Sequence, residues 1–442
     1  MAVETSNLAG SRFIRLAWVL LILNAFSALL FIGIVNRPVF DDSNNFPDVS
    51  RYAKDGVSVS SVRKHINPTG PTSFIWMAIA VRFIGGSSLR DARIAVLLSW
   101  LLLGIGLFIG AHYSSFPNLW YAALIVSLAF PHTLTATATV LTEGPAFLFG
   151  TLGVLLWLES AVRPKFTAWT GLAGVIGGFL MGLAVTSRQY YLALLPAAAL
   201  FAIYKIRQSS SADIKNRSAS FFLSLLAAAF PVVVLVLVWK GLSSPAMVSG
   251  ASYGAWKSKV GLNLWRPFVA IFYITIYLIP LTFPAIPLLP SRFRRGALLC
   301  AVLVGTAAGL FHSSLLQPGP LQSLTHFGGK LPGGEFILVS LFAVAATYNA
   351  IALGSLILEK RATVFSSDHV IFAFLVVMFF IAEQIGVGGN IPFYELYVLQ
   401  IAPFLGLIAF GLLPQLTTSR IAAIASLSVV SHALLWRHAM GG

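Results

Sequence analysis

Long apolar stretches separated by short polar breaks fill the chain from Phe13 to Leu435. A helix needs about 20 apolar residues to cross a bilayer, so the pattern predicts an all-α, polytopic transmembrane protein of about 11 to 13 spans, with no room for a separate soluble domain. The first stretch, Phe13 to Val35, follows Arg12 and Arg15 and reads as a retained anchor, being longer than a signal-peptide core. Three expected crossings matter below: Trp120 to Ala136, Val370 to Ile385 and Leu396 to Leu413.

The longest polar break near the N-terminus covers residues 36 to 71, inside a first outer loop of residues 36–93. Here Val49, Tyr52 and Ala53 recur at helical spacing opposite Asp48, Arg51, Lys54 and Asp55. Val59, Val62 and Ile66 do the same opposite Ser60, Arg63 and Lys64. The spacing predicts two short amphipathic helices on the membrane surface. Asn67-Pro68-Thr69-Gly70-Pro71 then breaks the chain, and Thr72 to Ile84 is apolar but too short to cross comfortably, so it is expected to be half-embedded.

Composition agrees with the class: 57% of residues are hydrophobic and 10% charged, against about 25% charged in soluble domains. The lone cysteine, Cys300, excludes an intrachain disulfide. The net charge of +15 is scattered between spans, which favours anionic headgroups and phosphates as partners over nucleic acid. Alternate threading puts Arg12/Arg15, Arg163/Lys165, Lys205/Arg207/Lys215/Arg217, Arg292/Arg294/Arg295, Lys360/Arg361 and Arg420 on the cytoplasmic side, as expected of short inner loops. Lys240, Lys257, Lys259 and Arg266 fall outside.

Only fourteen residues are acidic, and Asp41-Asp42 opens the outer polar stretch. Carboxylates at a membrane edge are candidates for chemistry. When a hydroxyl attacks the anomeric carbon of a phosphate-linked sugar, one base and nearby cations suffice, because phosphate leaves without protonation. Asp41 or Asp42 is the expected base. Glu143, in Thr142-Glu143-Gly144-Pro145, is a second carboxylate between two apolar runs. Arg188 and Gln189, with Lys257 and Lys259, are the candidate phosphate ligands. Arg51, Tyr52, His65, Asn67, His326, Lys330, Tyr394 and Glu395 are further candidates for substrate contact. No metal site and no cofactor are expected.

Asp41-Asp42-Ser43-Asn44-Asn45-Phe46-Pro47, ending in Arg51-Tyr52, resembles the first-loop motif of the GT-C membrane glycosyltransferases, most of all the dolichyl-phosphate-glucose α-1,2-glucosyltransferases. Ile66 to Pro71 is similar to that family's Thr- and Pro-rich turn. Ser187-Arg188-Gln189 resembles its Arg-Gln motif, Thr142-Glu143 its second acidic position, and Tyr394-Glu395-Leu396-Tyr397 a late aromatic motif. Many relatives carry arginine where Leu396 stands, which removes one expected phosphate contact.

The resemblance implies an inverting transferase that moves a sugar from a polyprenyl-phosphate donor to a glycan, lipid or protein acceptor, with its site on the extracytoplasmic face of a bacterial inner or ER-like membrane. It also implies one integral domain over 1–442, with the catalytic module continuing through 94–240 and variable helices of 241–442 on the lipid-donor side. Two other readings of the residues stand beside it. A secondary transporter or lipid-linked sugar flippase would carry broken helices in related halves, and a glycan polymerase or ligase would carry a large late outer loop.

Overall fold

The computed structural model describes residues 2–163, 167–209, 211–249, 261–287, 289–316, 320–361, 365–386 and 395–439. Its described residues form helices and irregular connections. Among the described residues, ten helical segments are long and apolar enough to span a membrane, from Ser11–Ile34 to Thr418–Arg437. The protein is an integral, multi-pass, all-α membrane protein. The three expected crossings named above fall on the shorter helices Pro117–Ala129, Asp368–Glu383 and Leu396–Leu412. The first and last of these are nevertheless buried on nearly every side, among the other helices.

The elements used below are α1 (Ala2–Ile34), α2 (Asp42–Asp55), α3 (Val59–Arg63), α4 (Thr72–Ile84), α5 (Leu89–Tyr113), α6 (Pro117–Ala129), α7 (Thr133–Ala138), α8 (Glu143–Val162), α9 (Ala168–Ser187), α10 (Leu194–Gln208) and α11 (Ser211–Trp239). Lipid supplies no hydrophobic drive between helices, so close association relies on small residues. Helix α9 shows this: Gly177 lies against the Gly153 backbone of α8, and Gly178 and Gly182 lie against the Ser224 and Ala228 carbonyls of α11.

Helix α4 has its two ends tied to the same end of the bundle. At its start Thr72 Oγ1 donates to Thr186 Oγ1 (2.8 Å), and near its finish Arg82 Nε donates to the Ala53 carbonyl of α2 (2.6 Å). Thirteen residues cover only about 20 Å of a core about 30 Å thick. With Thr72 held to Thr186 and Ser73 to the Thr142 carbonyl, the first loop, Glu143 and Arg188 share one end of the bundle.

Three expectations need correction. Asp48 is not on the polar face of α2: the buried stripe is Asp42, Asn45, Asp48, Val49 and Tyr52, so the helix turns polar groups inward. Helix α3 buries Ser61 and leaves Val59 exposed, and Ile66 just beyond it is exposed as well, so the expected apolar face is not the one packed inward. Arg420, threaded into a short inner loop, is not a surface charge. It is fully buried, lies 3.8 Å over the Phe410 ring, and donates to the carbonyls of Leu281, Leu413, Gln415 and Ala409. Those carbonyls lie at helix C-terminal ends, where orphan acceptors and the dipole both favour a cation.

Candidate active site

Four sequence motifs interlock at one end of the bundle. Asn45 of α2 donates to the Val140 carbonyl (2.8 Å), and Asn67 donates to Asn45 Oδ1 (2.9 Å). Thr69 donates from its amide and hydroxyl to Asn67 Oδ1, which rounds the 66–71 turn. Gln189 then donates to the Pro68 carbonyl (2.9 Å), and Ser73 to the Thr142 carbonyl (2.8 Å). At Gly70 the backbones touch so closely that a Cβ would sit 1.7 Å from the Thr186 oxygen. Only glycine fits that approach.

Within this frame the paired aspartates divide. Asp42 is fully buried, and its carboxylate accepts from the amides of Val39 (3.0 Å) and Val140 (2.6 Å) and from Arg93 Nε (3.2 Å) and Nη2 (2.6 Å). Arg93 also donates to the carbonyls of Val35 and Arg37 and lies over the Phe31 ring. Three of these donors converge on Oδ2 and one on Oδ1, so the carboxylate is clamped in place with its charge turned toward Arg93. Asp41 is exposed, and its one side-chain contact is Asn44 Nδ2 at 3.3 Å.

Asp48 is the carboxylate with capacity to spare. It is buried, its Oδ1 lies 2.7 Å from Arg51 Nη2, and its Oδ2 has no hydrogen-bond partner. Burial pushes its pKa up to about 6, partly offset by the Arg51 guanidinium. His65 Nδ1 faces Oδ2 at 3.7 Å. The other ring nitrogen, Nε2, contacts the Thr69 carbonyl at 2.8 Å; a carbonyl only accepts, so Nε2 carries the hydrogen. In the neutral ring Nδ1 is then bare. Burial drives the His65 pKa down to about 4, against the raising effect of the Thr69 bond. Two acceptor atoms thus confront each other without a donor between them.

Arg51 also donates to the Lys64 carbonyl and lies over the Tyr52 ring at 5.0 Å. Tyr52 is buried, which raises its pKa. Across the 66–71 turn, Glu143 is buried and paired with Arg188 Nη2, while Arg188 Nε has no hydrogen-bond partner. Arg188 leaves helical geometry as the residue capping α9, and the 3-10 turn Gln189–Ala193 follows it. Tyr190 packs on Tyr397 with ring centroids 4.3 Å apart, and Glu383 lies against the backbone of Ala193.

The structure thus brings together Asp41, Asp42, Arg51, Tyr52, His65, Asn67, Glu143, Arg188 and Gln189 around one turn. Lys330 is exposed near the start of helix Gly334–Glu359. Lys257, Lys259 and Tyr394 lie outside the described residues, as do the side chains of His326 and Glu395. Among the described residues no group of three or more His, Cys, Asp or Glu is placed to hold a metal ion. Two residues that sequence reasoning passed over carry much of the geometry: Asp48 and Arg93. The signal for the first was the polar spacing Asp42, Asn45, Asp48, Tyr52, which marks one helical face.

No protein-family model matches the chain, and no curated protein matches it. Among solved structures, ArnT from Cupriavidus metallidurans bound to undecaprenyl phosphate is similar at 15% identity and TM-score 0.42, over 95% of this chain and 77% of that one. The archaeal oligosaccharyltransferase AglB from Archaeoglobus fulgidus, with an inhibitory peptide and a dolichol-phosphate, is similar at 13% identity and TM-score 0.39, over 84% of this chain and 56% of that one. The S. cerevisiae protein O-mannosyltransferase Pmt1-Pmt2 complex bound to the sugar donor is similar at 14% identity and TM-score 0.39; 51% of this chain spans about a third of that protein, 33%. At these values the likeness carries no argument about chemistry.

Proposed function

We propose that the protein is an inverting membrane glycosyltransferase that moves a sugar from a polyprenyl-phosphate donor to an acceptor hydroxyl on the extracytoplasmic side. The observation that carries the reading is Asp48 Oδ2, a buried carboxylate oxygen without a hydrogen-bond partner in a frame that also holds Arg188. In this reading Asp48 takes the hydroxyl proton as the acceptor oxygen attacks the anomeric carbon. The bond from that carbon to the phosphate oxygen breaks, and the phosphate leaves with the electron pair toward Arg188. Gln189, Lys257 and Lys259 are the added phosphate contacts. Glu143 holds the Arg188 guanidinium, and Asp42 anchors the loop through Arg93.

The base role expected for Asp41 or Asp42 passes to Asp48 on physical grounds. Asp42 is buried and clamped by four donors, and Asp41 is exposed with a side-chain contact to Asn44. General-base help is worth about 100- to 10,000-fold in rate. Asp48→Asn should lose that much transfer from a polyprenyl-phosphate sugar in reconstituted membranes while the protein stays folded. Wild-type turnover by this variant would remove Asp48 from the chemistry. The proposed sidedness is supported by Arg163, Lys205 and Arg207, which sit at the opposite ends of α8 and α10 from Glu143 and Arg188.

A further inference from the structure

A second site lies at the other end of the same helices, and nothing in it depends on the transfer reaction. A groove of about 960 Å³ runs between α5, α8 and α9, lined by apolar side chains that include Ile109, Leu152, Leu156, Ala173 and Leu180. Its polar end holds Arg163 and Trp169. From Leu152 to Arg163 and from Trp169 to Leu180 the helices rise about 16 Å, roughly half of a core about 30 Å thick. The groove thus begins where α8 ends, at the membrane boundary, and stops at mid-span: the depth of one leaflet.

Charge at its mouth selects the occupant. Arg163 is exposed, with Nη2 on the Tyr113 carbonyl (3.1 Å), and Arg217 brings a second guanidinium onto the Arg163 carbonyl (2.8 Å). Glu159, the carboxylate among the lining residues, is engaged through one oxygen: its Oε1 accepts from Ser114 Oγ (2.6 Å), Trp120 Nε1 (2.7 Å) and His369 Nε2 (2.9 Å), while its buried Oε2 has no hydrogen-bond partner. Trp169 is 80% exposed at the same level, where an indole is at home beside headgroups. We infer that this groove binds one anionic glycerophospholipid of the cytoplasmic leaflet, an acyl chain lying along α8 and α9 and the phosphate against Arg163.

The test is native mass spectrometry of the full-length, delipidated protein titrated with phosphatidylglycerol or with phosphatidylcholine of identical chains. The wild type should retain one phosphatidylglycerol about fivefold more strongly, the preference that one arginine near an anionic headgroup supplies. Arg163→Ala should narrow that preference, and Arg163→Ala combined with Arg217→Ala should bring the two lipids to parity. Filling the groove with Ala173→Phe, or with Ile109→Trp at an exposed position that tolerates bulk, should release both lipids. Equal retention of the two lipids by the wild type, undiminished binding in both filled variants, or a polyprenyl phosphate as the species held in the groove would each overturn the assignment.

Discussion

Replacing Asp42 with Asn separates anchoring from catalysis. The carboxylate receives two hydrogen bonds from Arg93 and one each from the amides of Val39 and Val140. An amide offers a single oxygen, and its NH₂ group would confront donors on the other side. Removing one partner of a buried ion pair costs about 3 to 5 kcal/mol, because the remaining guanidinium stays desolvated with only the Val35 and Arg37 carbonyls to receive it. Unfolding of the detergent-solubilised protein should register that loss for Asp42→Asn. Because the two groups are coupled, Asp42→Asn combined with Arg93→Gln should cost less than the sum of the single changes, by about 0.5 to 3 kcal/mol. Asp41→Asn, on an exposed side chain, should stay within about 0.5 kcal/mol of the wild type and keep its turnover. The reasoning would be refuted by an Asp42→Asn protein as stable as the wild type yet unable to transfer sugar. That result would return the base to Asp42.

The remaining predictions use the same measurements. Transfer should rise about tenfold between pH 5 and pH 7 as Asp48, with its pKa of about 6, ionises; a flat profile would place the base elsewhere. Stability should respond to pH through both members of the Asp48–His65 pair. Asp48 is raised from 3.8 to about 6, so its contribution is lost as pH rises through that window, whereas His65 is lowered from 6.5 to about 4, so its contribution is lost as pH falls. The slopes oppose, and Asp48→Asn should unmask the histidine, giving a protein that weakens on acidification below pH 6.5 by up to roughly 1.4 kcal/mol per unit. Gly70→Ala should disrupt the turn and reduce transfer sharply, since its Cβ would overlap the Thr186 carbonyl, while Gly354→Ala, in open space, should be silent in the same assay. Arg420→Met should destabilise the protein by several kcal/mol, because four carbonyls lose their donor at once.

What could be read in advance was whatever depends on local pattern. Apolar run length gave the helices, and Asn67 to Pro71 gave the turn around which Asp41–Tyr52, Thr142-Glu143 and Arg188-Gln189 gather. What could not be read was which way a polar side chain points. An amphipathic helix is expected to turn its apolar face inward, but α2 packs Asp42, Asn45 and Asp48 against partners from distant segments, and those partners make burial tolerable. Arg420 misled in the same manner: threading puts it in a short inner loop, yet it is enclosed, with carbonyl acceptors supplied by neighbouring chain ends.

The Asp42 anchor also bears on how the protein is made. Its hydrogen bond to Val140 joins positions 98 residues apart, so α2 has no complete docking surface until that later stretch has left the ribosome. At about 5 to 20 residues per second the interval is about 5 to 20 s. During that time the first loop waits with a row of unsatisfied polar groups, open to chaperones, proteases or premature partners, until the arrival of later helices closes over it.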